Sequence, residues 1–201
     1  MAEGLGKNEV ADQLTESLKR SVAALEERGV PYLLGGGLGC WARGGPPSSN
    51  DIDLMVKPED AERAQEALAE AGMRPETPPE HWLRKAWDGD ILVDLIYEPS
   101  GMRIDDEAIG RGEEISVMAM QVRVMDLGDI LTTKLLALDE HSADYRDLIL
   151  ISRSLREQID WAALRERTAH SPFAAAFFTL ADRLGISPAV AAEPSGPGSG
   201  A

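Results

Sequence analysis

A chain of 201 residues with 43% hydrophobic and 5% aromatic content supplies one or two small domains with an aliphatic, alanine-rich core, much of it helical. Its 35 acidic against 20 basic residues leave a net charge of −15, which disfavours non-specific binding to duplex DNA because the long-range field repels a polyphosphate. One cysteine, Cys40, excludes an internal disulfide; no apolar run has the length of a bilayer span and no signal-type core opens the chain, so the expected location is the cytoplasm.

In chain order, residues 9 to 28 carry helical periodicity, with Asn8 the expected N-cap and Gly29 the stop. A short apolar strand starting at Tyr32 breaks into Gly35-Gly36-Gly37, and Leu38 to Arg43 reads as the opening of a helix. Glycines let backbone N–H groups approach an anion closely, which suits a phosphate loop; a strand-to-helix turn also needs glycine for backbone reasons alone. Cys40 has no neighbouring His or second Cys and is expected to pack in the core.

Thirteen residues separate Gly37 from Asp51-Ile52-Asp53-Leu54-Met55-Val56. In an extended strand, residues two apart share a face, so Asp51 and Asp53 project together while Ile52 and Leu54 go the other way. Paired carboxylates repel unless a cation lies between them, and oxygen-only ligation favours Mg²⁺. In so acidic a chain the same pattern also arises by chance, as at Asp88-Gly89-Asp90, which reads as a hairpin turn.

Pro58 opens a charged amphipathic helix that Gly72 closes. Trp82 to Trp87 reads as a hairpin strand paired with Ile91 to Tyr97, where Asp94 interrupts an apolar run and needs a partner. Arg84-Lys85, with Arg103 and Arg111, offers the alternative of a basic lip beside stacked nucleotides. Ile115 to Met118 and Val122 to Met125 extend the sheet.

From Asp126 the pattern turns helical, over 126–140, 144–158, 160–169 and 172–184. Lys134, among apolar neighbours, has the bland reading of a snorkelling surface lysine. His81, His141 and His170 lack metal-ligand spacing. The expected organisation is α+β: a core over 1–125 with a small mixed sheet flanked by helices, a helical subdomain over 126–186 walling the cleft, and a disordered tail over 187–201.

Strand, glycines, helix, paired-Asp strand and a later strand with a third Asp, in this order and spacing, resemble the nucleotidyltransferase superfamily typified by DNA polymerase beta, in its small bacterial branch. The resemblance spans roughly residues 30 to 150 and implies Mg²⁺-dependent transfer of a nucleoside monophosphate from NTP to a hydroxyl acceptor, with release of pyrophosphate. It further implies that Gly36 and Gly37 hold the triphosphate, that Asp51, Asp53 and Asp94 bind two metal ions, and that Asp94 helps activate the hydroxyl. Many relatives carry Ser where Gly37 stands, so that hydroxyl contact to phosphate is missing here.

The segment from Asp126 to Leu138 resembles the helix whose lysine reaches the nucleotide phosphates, here Lys134. Asp144-Tyr145-Arg146-Asp147 is similar to the aspartate motif of abortive-infection toxins, which makes Asp144 a nucleotide-binding candidate and Asp147 only its helical neighbour. The acceptor stays open among RNA such as tRNA, an antibiotic-like small molecule and a protein, and the toxin-like reading brings with it an antitoxin partner. The competing reading is a catalytically inactive nucleotide-binding or protein-interaction module. Three converging carboxylates argue against it.

Overall fold

The computed structural model describes residues 7–48 and 51–188. The chain runs α1 (Lys7–Glu27), β1 (Tyr32–Leu34), α2 (Gly36–Ala42), β2 (Ile52–Val56), α3 (Ala61–Glu70), β3 (Arg74–Glu76), β4 (Leu83–Asp88) and β5 (Ile91–Ile96). It continues with α4 (Asp106–Arg111), β6 (Glu113–Val117), β7 (Met120–Val124), α5 (Leu127–Leu136), α6 (Arg146–Ser154), α7 (Trp161–Arg167) and α8 (Pro172–Arg183). The strands form one mixed sheet in the order β3-β4-β5-β2-β1-β7-β6, giving the expected α+β architecture. β2 runs parallel to β5 and β1 parallel to β7, and the other neighbours are antiparallel.

Strand alternation sorts side chains between two layers of helix. Ile52, Leu54 and Val56 of β2, with Val93 and Leu95 of β5, pack with Leu14, Leu18, Val22 and Leu25 of α1 and with Ala64 and Leu68 of α3. Met55 and Ile96 go to the other face and join Ile130, Leu131 and Leu135 of α5, Leu148 and Ile151 of α6, and Phe177 of α8. The C-terminal helices therefore share a core with the sheet.

Polar contacts fix the layers. The Asp88 carboxylate, at the β4–β5 turn, accepts from Ser17 Oγ at 2.8 Å and from Arg20 at 2.6 Å, which anchors α1. Gly29 takes φ +61° and ends that helix, its N–H donating to the Glu26 carbonyl while Val30 N–H donates to Leu25. Arg43, just after α2, donates from Nε and a terminal nitrogen to the Met125 carbonyl at 3.0 and 2.8 Å, which ties the glycine segment to the start of α5.

Several boundaries differ from the expectation. Asn8 lies inside α1 rather than capping it. β3, an edge strand containing Pro75, and α4, capped by Asp105, were not expected. α5 stops at Leu136 and α6 starts at Arg146 because the intervening aspartates bond locally. Asp139 Oδ1 accepts from the N–H of His141 and of Ser142, each at 2.8 Å, and Asp144 Oδ1 from that of Arg146 at 2.9 Å. Ser187, placed in the disordered tail by its composition, is buried and donates to the Asp182 carboxylate; residues 189–201 lie outside the described part. Among the described residues no helix is long and apolar enough to cross a membrane.

Candidate active site

β2 and β5 lie side by side in parallel register, with Ile52 opposite Val93, Asp53 opposite Asp94 and Leu54 opposite Leu95. Because the apolar neighbours turn to the α1/α3 layer, Asp53 and Asp94 both face the α5 side. Asp51 stands one residue ahead of β2 and is exposed, and its charge still reaches both.

Burial pushes the Asp53 carboxyl above its ordinary range and the charge of Asp51 adds to this, whereas Lys134 and the hydrogen-bonding N–H of Gly37 act the other way. Asp94 is pushed up to about 6, first by burial and then by Asp53, with Lys85 opposing. Lys85 is its cross-strand partner on β4. Asp94 Oδ1 is buried without a hydrogen-bond partner. Two adjacent carboxylates, one with an orphaned oxygen, are the donor set a hard cation satisfies.

That fit has a limit. Among the described residues, no group of three His, Cys, Asp or Glu side chains is gathered closely enough to hold a metal by itself. The expected three-carboxylate cage is thus a close pair with Asp51 at its edge. Mg²⁺ suits such a set, since it binds through one or two carboxylates and completes its shell with phosphate and water.

The glycines are shaped by the same strand. Gly35 N–H donates to the Asp53 carbonyl at 2.8 Å, which hooks the loop onto β2. Gly36 has φ +54°, and a Cβ there would lie 1.7 Å from Asp53 Oδ2. A Cβ on Gly37 would lie 2.4 Å from Ser48 Oγ.

Two cavities flank Lys134. A cleft of about 500 Å³ extends from Gly36 and Asp53 past Met55 and Ile96 to Trp82, which is 45% exposed; Lys134 and Thr133 form its α5 side, and Glu98 and Asp139 complete it. On the other side a cavity of about 170 Å³ is lined by Gly37, Pro46, Pro47, Ser48, Lys134, Asp147, Leu150 and Ile151.

Gly36, Gly37, Asp53 and Lys134 therefore converge, and Asp94 joins them only as the in-register neighbour of Asp53, since it lines neither cavity. Asp144 does not: it is exposed, spends an oxygen on the Arg146 N–H, and lines neither cavity, whereas Asp147, in the first turn of α6, lines the smaller one. Two of the four residues of the basic lip are engaged elsewhere. Arg84 bonds Gln65 at 3.1 Å, and Arg111 is engaged by Asp129 at 2.9 Å. Ser48, Glu98 and Asp139 gave no sequence signal, since isolated polar residues in turns are ordinary. Cys40 is fully buried, with its thiol pushed up to about 11 by burial, as its core assignment requires.

A family model described as "Uncharacterised nucleotidyltransferase" matches residues 7–192. The chain belongs to this family. This nucleotidyltransferase also resembles solved structures. The crystal structure of ANT(2″)-Ia in complex with adenylyl-2″-tobramycin shares 20% identity at a TM-score of 0.60, covering 83% of this chain and 97% of that one. The solution structure of the antibiotic-resistance factor ANT(2″)-Ia shares 23% at 0.55, covering 85% and 96%. The lincomycin-bound lincosamide antibiotic adenylyltransferase LnuA shares 15% at 0.51, covering 72% and 97%. At such identities the likeness is one of fold. A comparison with curated protein sequences finds no match.

Proposed function

We propose that this nucleotidyltransferase moves a nucleoside monophosphate from a Mg²⁺-bound NTP to a hydroxyl of a small, amine-bearing molecule. The acceptor oxygen bonds to the α-phosphorus, the bond from that phosphorus to the bridging oxygen breaks, and pyrophosphate leaves. The observation that carries the reading is the in-register Asp53–Asp94 pair, with Lys134 beside Asp53 and one buried Asp94 oxygen unpartnered.

Asp53 and Asp94, with Asp51 at the edge, would hold the metal, which when bound offsets the charge of the phosphates and carboxylates. Asp94 accepts the proton of the attacking hydroxyl. Lys134 places a positive charge beside the departing pyrophosphate. Gly36 keeps the space beside Asp53 Oδ2 clear of a side chain.

A cleft of about 500 Å³ matches a drug-sized ligand, and Glu98 and Asp139 along it favour an acceptor carrying positive charge. The fold neighbours include a protein solved with adenylyl-2″-tobramycin and one with lincomycin, which supports a small-molecule acceptor. A tRNA acceptor with a toxin role fits less well, because the net charge is −15 and Arg84 and Arg111 are engaged internally.

The test is transfer of label from each α-³²P-NTP, with Mg²⁺, into aminated and hydroxylated antibiotics, total RNA or cell protein, beside Asp53→Ala. Label in the small-molecule fraction that vanishes in the variant is expected. Label confined to RNA or protein overturns the acceptor class, and intact nucleotide binding with no label anywhere returns the protein to the inactive binding module.

A further inference from the structure

The smaller cavity beside Lys134 points to a ligand contact that neither the glycine loop nor the carboxylates supply. Its volume of about 170 Å³ falls below the range for a whole small-molecule site, so it admits one end of a ligand whose remainder lies elsewhere. Three groups on it carry chemistry: the Lys134 ammonium, the Asp147 carboxylate and the Ser48 hydroxyl. Since the first two oppose each other in charge, the cavity is no strong anion trap by electrostatics alone. A neutral donor then decides what it holds.

Ser48 is placed to be that donor. It comes from the connection between α2 and β2, and its Oγ lies 2.4 Å from where a side chain on Gly37 would begin. The hydroxyl thus occupies the space that a side chain at position 37 would fill, and the absence of a Cβ at Gly37 is what admits it. A phosphate oxygen arriving between Gly37 and Lys134 therefore meets a hydroxyl from another segment of the chain.

We propose that Ser48 is a nucleotide-binding residue whose hydroxyl donates a hydrogen bond to the phosphate tail of the NTP, across the cavity from Lys134. This rests on the nucleotidyltransferase reading above and adds to it the seat of the outer phosphates. The cavity adjoins the Asp53 cleft through Lys134, which lines both, so a nucleotide can span the two with its α-phosphorus at the carboxylate pair.

Calorimetric titration with the four Mg–NTPs and with Mg–tripolyphosphate tests it. A hydrogen bond to a charged group justifies an expected loss of about tenfold in affinity for Ser48→Ala, equal for the NTP and for tripolyphosphate, with the melting temperature unchanged. Ser48→Thr, which keeps the hydroxyl, should bind as wild type. The double variant Gly37→Ser/Ser48→Ala, which returns a hydroxyl to the adjoining position after removing the obstructing one, should recover most of the loss. Wild-type affinity in Ser48→Ala, or equal losses in the Ala and Thr variants, overturns the role of Ser48 while leaving the enzyme assignment standing. Failure of the wild-type protein to bind any Mg–NTP overturns both.

Discussion

At the scale of single residues, the carboxylate pair makes a testable statement about pH. Asp94 titrates near 6 in the folded protein against an ordinary 3.8, so the native state holds a proton that the unfolded chain has released between these values. The sign follows: without metal, stability declines as pH rises from about 4 to 6 and stays reduced above. That rise is worth roughly 3 kcal/mol, and partial exposure discounts it to about 1–2 kcal/mol. Asp94→Asn should therefore raise the urea midpoint at pH 8 and leave it nearly unchanged at pH 3.5. Mg²⁺ should raise the melting temperature of the wild type more at pH 8 than at pH 5, and that of Asp94→Asn little at either.

Gly36 belongs to the same scale. Alanine there must take φ +54° and place its Cβ 1.7 Å from Asp53 Oδ2, so either the loop or the carboxylate has to move. Gly36→Ala is expected to lose at least about a hundredfold in transfer rate, as displaced reacting groups do. Its cost in folding should be only about 1–3 kcal/mol, read by urea unfolding. Wild-type activity in this variant would remove Asp53 from the chemistry.

Among the elements, α5 carries the greatest positional burden, since Lys134 reaches the site only if the helix is held at its first turn. Asp126 caps it by accepting from Asp129 N–H at 3.0 Å. Asp129 is 1% exposed and accepts two hydrogen bonds from Arg111, the last residue of α4, and one from Arg167 of α7 at 2.6 Å. One carboxylate thus joins three helices. The arginine side chains are 40% and 36% exposed, so losing their partner costs less than in a dry core. Asp129→Ala should destabilise by about 2–3 kcal/mol in urea and lower nucleotide affinity through displacement of Lys134. Unchanged affinity alongside reduced stability would mean that α5 is held by its apolar contacts alone.

The hairpin from β6 to β7 is the element that propensity rules predict least well. It turns through Met118 and Ala119, both at positive φ, where Asn-Gly is the usual pair. The strands themselves are plain in sequence, and Val117 pairs with Met120 across this unfavoured turn.

For the molecule as a whole, the two apolar layers decide which parts can stand alone. The layer that holds Met55, Leu83 and Ile96 is completed by Leu131 and Leu135 of α5 and Phe177 of α8. A chain ended at residue 125 would expose that face, so it should fail to unfold cooperatively in urea and should associate at micromolar concentration. Cooperative unfolding of the shortened chain would establish the sheet as an independent domain.

Much of this was legible in the residues themselves. Period-two alternation in Ile52 to Val56 and in Ile91 to Ile96, glycine punctuation at 29, 35–37 and 72, and the helical runs beyond Asp126 are local signals, and local chemistry sets local structure. These local patterns put carboxylates on strands and a glycine loop ahead of them. The assembled fold set Asp53 opposite Asp94 in register, because strand pairing is a choice between distant segments. It also decided that Asp147 rather than Asp144 lies beside Lys134, since the Asp144 side chain is taken by a backbone N–H at the helix start. Ser48 came to Gly37 by the same means: a side chain from one loop fills space left by a missing Cβ in another, and no spacing rule along the chain encodes which loop that will be.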